Sequence, residues 1–261
     1  MSLVITYKFA HKDCINNKLQ KSIKGKSLSE QTVLISCLEK YDEYSRAVSS
    51  AFKVGNGIEL SGKIEEYLEY AKSIESLNPS LLGFASKYYS SILEEMPVLL
   101  TEVILNEYSS LKLECKHKLF VGGEDCLIRV GANPNGTPFF ETKRIDFCIA
   151  LYSEGLNGYV PLLGYEVKKY VDKTMFGTIL ETYKSLQIFR PRTRYGFISE
   201  DECRGADVIV NSPMYDNEFV LTNKHRNNSK RNPIDAAEII KFSDQLKVEV
   251  STAITSICNI P

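Results

Sequence analysis

Through its first ~110 residues the chain repeats apolar side chains every three or four positions, the spacing that gathers them on one side of a helix. Ser27-Leu28-Ser29-Glu30 has the form of a capping box, in which serine and glutamate side chains each satisfy a free backbone N–H. A helix is predicted over the following QTVLISCLEKYDEYSRAVSSAF, ended by Gly55 and Gly57. A second lies in GKIEEYLEYAKSIESL, where Ile64, Leu68, Ala71 and Ile74 share a face. A third runs through SKYYSSILEEMPVLLTEVILNEY, where Pro97 should kink or interrupt it by removing a backbone donor.

Near Leu111 the period changes to alternation, and turn residues punctuate it at Gly122-Gly123 and in ANPNGTP at 132–138. Strands are predicted at 112–121, 125–131, 139–152 and 158–168. An amphipathic helix follows in DKTMFGTILETYKSLQIF, with Phe176, Ile179, Leu180 and Tyr183 on one face and Asp172 as its cap. Short strands at 194–199, 207–211 and 217–222 precede Asn232-Pro233, which has the form of an N-cap and first helical residue opening a last helix to Cys258. This pattern predicts one α/β unit: an N-terminal helical region, 1–110, packed on a mixed-sheet core, 111–261.

Composition leaves that picture unchanged. The 261 residues are 43% hydrophobic and 25% charged with net charge −1, so any nucleic-acid surface must come from local clustering. Seven scattered cysteines, none spaced Cys-x-x-Cys, fit a reducing cytoplasm better than a disulfide framework or a zinc knuckle. No apolar run approaches the ~20 residues of a membrane helix, and the first residues lack a signal peptide's apolar stretch. The expected location is cytoplasmic.

One constellation carries chemistry: an aspartate on one strand, then Glu-x-Lys on the next. In a strand, residues i and i+2 share a face roughly 7 Å apart. Glu166 and Lys168 therefore point together, while Leu163, Tyr165 and Val167 turn away. On the preceding strand Ile145, Phe147, Ile149 and Leu151 form the apolar face and Asp146 opposes them. Cys148, Ala150 and Gly164 beside the pair are small enough to leave room for a ligand. Two carboxylates and an ammonium can hold Mg²⁺ and orient an attacking water. Acid-x-Lys also occurs at Glu114-Cys115-Lys116 and Glu141-Thr142-Lys143, and such triplets are commonly plain strand surface. Asp125 with Glu141 is a competing pair, set aside because the chain after Lys143 stays extended.

The strand RIDFCIAL, then GYEVKKYVDK entering a helix, then RTRYGFISED resemble the PD-(D/E)XK nucleases, more narrowly type II restriction endonucleases of the BbvCI and DdeI kind. The stretch IEEYLEYAKSIESL with YYSSILEEM resembles the segment before the nuclease core, so the resemblance spans about residues 64–200. It implies a restriction-endonuclease-like mixed central sheet flanked by helices. It also implies that Asp146 and Glu166, with Val167 between the motif's acid and lysine, lie at the metal, that Lys168 activates or positions water, and that Glu95 completes the site. The motif's proline is replaced by Ile145. The implied activity is Mg²⁺-dependent cleavage of duplex DNA, within a restriction-modification pair with a cognate methyltransferase, by a homodimer or by one subunit of a heterodimer. DNA binding should strengthen with a divalent cation. A repair or junction nuclease of the same fold, and a non-catalytic DNA-binding or scaffolding protein, stay open beside it.

Two basic stretches could face DNA. Lys184, Arg190, Arg192 and Arg194 fall within eleven residues free of acids, and Lys173 opens the same helix. The loop NKHRNNSKRN holds Lys224, His225, Arg226, Lys230 and Arg231 among asparagines, a composition suited either to base readout or to a solvated connection. His11, His117 and His225 have no metal-like spacing, and the tyrosines at 67, 70, 88 and 89 read as packing.

Overall fold

The computed structural model describes residues 4–83, 87–108, 118–202, 212–222 and 232–258. The basic loop at 223–231, with Lys224, His225, Arg226, Lys230 and Arg231, lies outside them, as does the strand expected at 207–211. Among the described residues no helix is long and apolar enough to cross a membrane.

The elements run β1 (Val4–Tyr7), α1 (Ala10–Lys24), α2 (Leu28–Lys53), α3 (Gly57–Leu77), the single turn α4 (Pro79–Leu82) and α5 (Ser90–Tyr108). They continue with β2 (Lys118–Ala132), β3 (Pro138–Ser153), β4 (Gly158–Val171), α6 (Lys173–Phe189), β5 (Arg194–Glu202), β6 (Glu218–Val220) and α7 (Ala236–Cys258). The strands form one mixed sheet in the order β1-β2-β3-β4-β5-β6. β2, β3 and β4 are antiparallel neighbours. β4 and β5, which α6 connects, are parallel, as a helical crossover requires.

The sheet buries both faces. Leu119, Val121, Phe147, Ile149, Leu163, Tyr165 and Val167 pack with α2, α3, α5 and α7. Phe120, Ile128, Cys148, Ala150 and Phe197 pack with Phe176, Ile179 and Leu186 of α6. Ile145 departs from the expected alternation and joins this second cluster.

Several elements differ from the sequence reading, each for a local reason. Val4–Tyr7 is a strand paired parallel to β2, not part of the helical region, because four residues are too few to show a period. Of the strands expected at 112–121 and 125–131, residues 112–117 lie outside the described residues and the rest form one strand from Lys118, with Gly122-Gly123 a register shift within it instead of a turn. A Cβ at Gly122, whose φ is +138°, would lie 2.8 Å from the Lys8 carbonyl oxygen; one at Gly123 would lie 2.8 Å from that of Asp146. The glycine pair thus lets β2 bend closely past two backbones. Pro97 does not interrupt α5, because buried Leu93, Met96, Val98 and Leu100 hold the helix across the missing bond. Ser27 makes no side-chain cap, since Glu30 instead accepts from Ser22 Oγ at 2.7 Å. Asn56 caps α3 by accepting from Glu59 N at 3.1 Å. α7 begins three residues after Pro233, where Asp235 accepts from Ala237 N at 2.8 Å. The cap at Asp172 is present, accepting from Met175 N at 2.8 Å.

The helical layer is tied together at α1. Its first N–H groups, those of His11 and Lys12, donate to Glu95 Oε2 of α5 at 2.5 and 3.0 Å. The His11 ring reaches Ser91 Oγ at 2.9 Å and the Tyr67 hydroxyl at 2.8 Å, and burial holds its pKa down at about 3. Glu95, fully buried, is therefore a helix anchor in this structure.

Burial raises the Glu95 carboxyl from 4.5 to about 7, against the pull of Tyr41 and the two N–H groups. Between those values the folded chain keeps a proton that the unfolded chain has released, so this residue's contribution to stability falls as pH rises through the window. Glu95→Gln cannot ionise, and its thermal midpoint should gain on the wild type between pH 5 and pH 8; parallel curves would refute the assignment. Glu95→Ala, which leaves both N–H groups unmet, should lose about 1–3 kcal/mol in denaturant unfolding.

Candidate active site

The ladder between β3 and β4 runs to Phe147 opposite Tyr165. One residue beyond on each strand stand Asp146 and Glu166. Asp146 Oδ2 accepts the backbone N–H of Val167 at 3.0 Å, which fixes the carboxylate against β4. Lys168, two residues after Glu166 and on the same face, donates to Asp146 Oδ2 at 2.5 Å and to Glu166 Oε2 at 3.0 Å. The two carboxylates thus close on a single cation, the lysine's own ammonium. Burial works against that charge, but Asp146 and then Glu166 outweigh it and hold the Lys168 pKa above its ordinary value. The lysine and aspartate side chains keep 31% and 18% of their exposure, so the focus stays open to solvent; Glu166 keeps only 6%.

The other oxygen of Glu166 is held from the α6 side. Tyr195 OH donates to Glu166 Oε1 at 2.8 Å, and Lys143 Nζ lies 3.5 Å from the same oxygen while donating to Thr182 Oγ1. Burial and the Glu166 charge push the Tyr195 pKa well up, so the phenol keeps its proton and remains a donor. Gly164 has a different role from the expected one. A Cβ there would come within 3.1 Å of Ile145 and 3.2 Å of Tyr195. The space left by its missing side chain is filled by these two residues, and it is what lets Tyr195 reach the carboxylate. Cys148 likewise faces protein: its sulfur lies 3.5 Å from that of Cys126 and donates to the Gly122 carbonyl oxygen.

On α5, Glu94 is the carboxylate that senses the site. Burial first, then the charge of Asp146, raises its pKa from 4.5 to about 7, while Lys87, Lys168 and Arg144 pull it back. Glu95, the expected site residue, accepts instead from the first N–H groups of α1, while Glu94 beside it on the helix feels the charge of Asp146. Adjacent helical residues point about 100° apart, so the two glutamates meet different surroundings. α5 is buried on almost every side, which removes the amphipathic stripe that would have distinguished the two.

Sequence reasoning also passed over Lys143, Tyr195 and Thr182. Lys143 belongs to the Glu141-Thr142-Lys143 triplet; β3 stays extended to Ser153, and in its ladder with β2 the register partner of Glu141 is Arg129 and that of Asp125 is Arg144. Of the basic candidates, Lys173, Lys184, Arg192 and Arg194 are exposed and Arg190 is half-buried. Among these described cations, none contacts Asp146, Glu166 or Lys168 through a hydrogen bond or ion pair. Among the described residues no three His, Cys, Asp or Glu side chains are grouped to hold a metal ion by themselves. Any ion here would rest on two carboxylates supplemented by backbone oxygen and water, a donor set that suits Mg²⁺.

No protein-family model matches the chain, and no curated protein matches it. Among solved structures, the BbvCI A2B2 tetramer contains a chain of the same fold: 94% of this chain superimposes on 97% of that one with a TM-score of 0.61 at 14% identity. Identity that low carries the fold and leaves individual side chains to be argued from their own geometry. Over nearly its whole length, then, the chain has the fold of BbvCI, a restriction-endonuclease-like mixed sheet flanked by helices.

Proposed function

We propose that this chain is a Mg²⁺-dependent type II restriction endonuclease, hydrolysing phosphodiesters of duplex DNA at a short specific sequence. The observation that carries the reading is the closure of Asp146 and Glu166 on one cationic point, at 2.5 and 3.0 Å, on a partly open face of the sheet. The likeness of fold to BbvCI supports it.

The donor set fits the ion. Asp146 and Glu166 already direct oxygens to a shared cation, and the backbone oxygen of Val167 lies in the segment joining Glu166 to Lys168. Glu94, its pKa raised by burial and by Asp146, is a further carboxylate whose charge a cation would offset. Bound Mg²⁺ supplies stabilisation of the negative charge that builds on the phosphate as water attacks in line with the departing 3′-oxygen. Lys168 adds a positive charge beside both carboxylates, held ionised by them, and positions the water. Tyr195 and Lys143 hold Glu166 in one orientation, so its oxygens do not need to be ordered during the reaction. Without a cation the acidic cluster repels a phosphodiester, so DNA binding strengthens when one is present.

Cleaving both strands takes two such centres, which calls for a second copy or a related subunit. The BbvCI structure is itself an A2B2 tetramer. A methyltransferase modifying the same sequence would protect host DNA.

Purified protein incubated with plasmid in Mg²⁺ should give discrete fragments, or nicked circles if it supplies one half of a heterodimer, and nothing in EDTA. Asp146→Ala, Glu166→Ala and Lys168→Ala should each lose at least about 10²-fold in rate. Inert wild type that still binds DNA would replace this reading with a non-catalytic one. Glu94→Gln should lower the rate about 10- to 100-fold with no loss of melting temperature. If Glu95→Gln has that effect and Glu94→Gln does not, the two assignments are reversed.

A further inference from the structure

The hairpin of β2 and β3 ends in an exposed polar tip, Asn133–Thr137. At its base stands Arg129, exposed, with Glu141 as its register partner across the ladder. The guanidinium does not pair with that carboxylate. Its central carbon lies 5.4 Å from the Phe139 ring centre and 5.3 Å from that of Phe189, the last residue of α6. Among the described residues its side chain makes no hydrogen bond or ion pair.

Two rings hold a cation by its charge and its flat face, and neither accepts its N–H groups. A side chain with many rotamers is therefore already oriented while its donors remain unspent. Preorganisation of this kind lowers the entropic cost of meeting a partner with two acceptor atoms. Ile188, which precedes Phe189, is 72% exposed and leaves apolar surface at the end of α6, suited to a thymine methyl group. Phe189 belongs to the α6 side of the sheet, the side from which Tyr195 and Lys143 reach Glu166. Glu141, opposite Arg129, is five residues from Asp146 along β3, or roughly 17 Å. That span is about five base-pair steps at 3.4 Å each.

We propose that Arg129 is a guanine-reading residue of this enzyme, its planar donors meeting the O6 and N7 acceptors in the major groove a few steps from the cleaved bond. The inference rests on the nuclease reading above. A backbone phosphate offers a similar pair of acceptors, so the test must separate the two.

The test is binding of intact protein to a pool of duplexes in Ca²⁺, with wild type, Arg129→Ala, Arg129→Lys and Phe189→Ala, each checked for an unchanged melting temperature. Arg129→Ala should lose about 10- to 100-fold on sequences carrying the selected guanine and little on the rest. Arg129→Lys should fail nearly as badly, because an ammonium cannot bond bidentately. Replacing that guanine by 7-deazaguanine should weaken wild type and leave Arg129→Ala indifferent. Phe189→Ala should weaken the same sequences to a smaller degree. A uniform loss over all sequences, with a shallower salt dependence and rescue by lysine, would mark a phosphate contact and overturn base reading. Unchanged selection in every variant overturns the inference while the nuclease reading stands; wild type that neither binds nor cuts duplex DNA overturns both.

Discussion

A carboxylate buried in a sheet face must have its charge met, and this requirement organises the middle of the molecule. Glu166 is buried, yet its two oxygens are answered by Tyr195, Lys143 and Lys168. Removing any one of these leaves charge in a place that solvates it poorly. The elements around the site are arranged so that none is removed: β3 carries Asp146 and Lys143, β4 carries Glu166 and Lys168, β5 brings Tyr195, and α6 brings Thr182. The crossover through α6 makes β4 and β5 parallel neighbours and so places Tyr195 beside the carboxylate.

The same principle acts differently on α5, which carries two glutamates in sequence. Glu95 has its charge met by the N-terminus of α1, and Glu94 leans on the charges around Asp146. Each is raised to about 7, the first by burial inside the helical layer, the second by burial together with a neighbouring acid. One helix thus joins the two halves of the chain. Its inner acid fastens the N-terminal layer and its neighbour feels the charge of Asp146 on the sheet. Gly122 and Gly123 complete the junction, since their missing side chains let β2 pass against Lys8 on one side and Asp146 on the other.

The likeness to BbvCI at 14% identity shows how little of the surface the fold itself demands. Both chains need a sheet buried on two faces and helices to bury it, which many sequences satisfy. The polar groups held against that scaffold are argued from this chain alone: the cationic focus in the sheet, and Arg129 with its two phenyl rings on the β2–β3 hairpin.

The sequence by itself determined the fold class, the helical N-terminal region, the long strands at β3 and β4, the Asp172 cap and α6, and it singled out Asp146, Glu166 and Lys168. These are legible because they depend on neighbours within a few residues: a period of two or 3.6, a cap, a pair at i and i+2. Tertiary structure alone decided the rest. It made Gly122-Gly123 a bend within a strand, because that depends on which backbones pass nearby. It set Glu95 on the first turn of α1 and left Glu94 to feel the charge of Asp146, because the phase of a helix buried on almost every side is set by its packing. It gave the space beside Gly164 to Tyr195 and brought Lys143 onto Glu166. Those contacts join residues separated by more than twenty positions, and no local pattern encodes where a folded sheet will bring them.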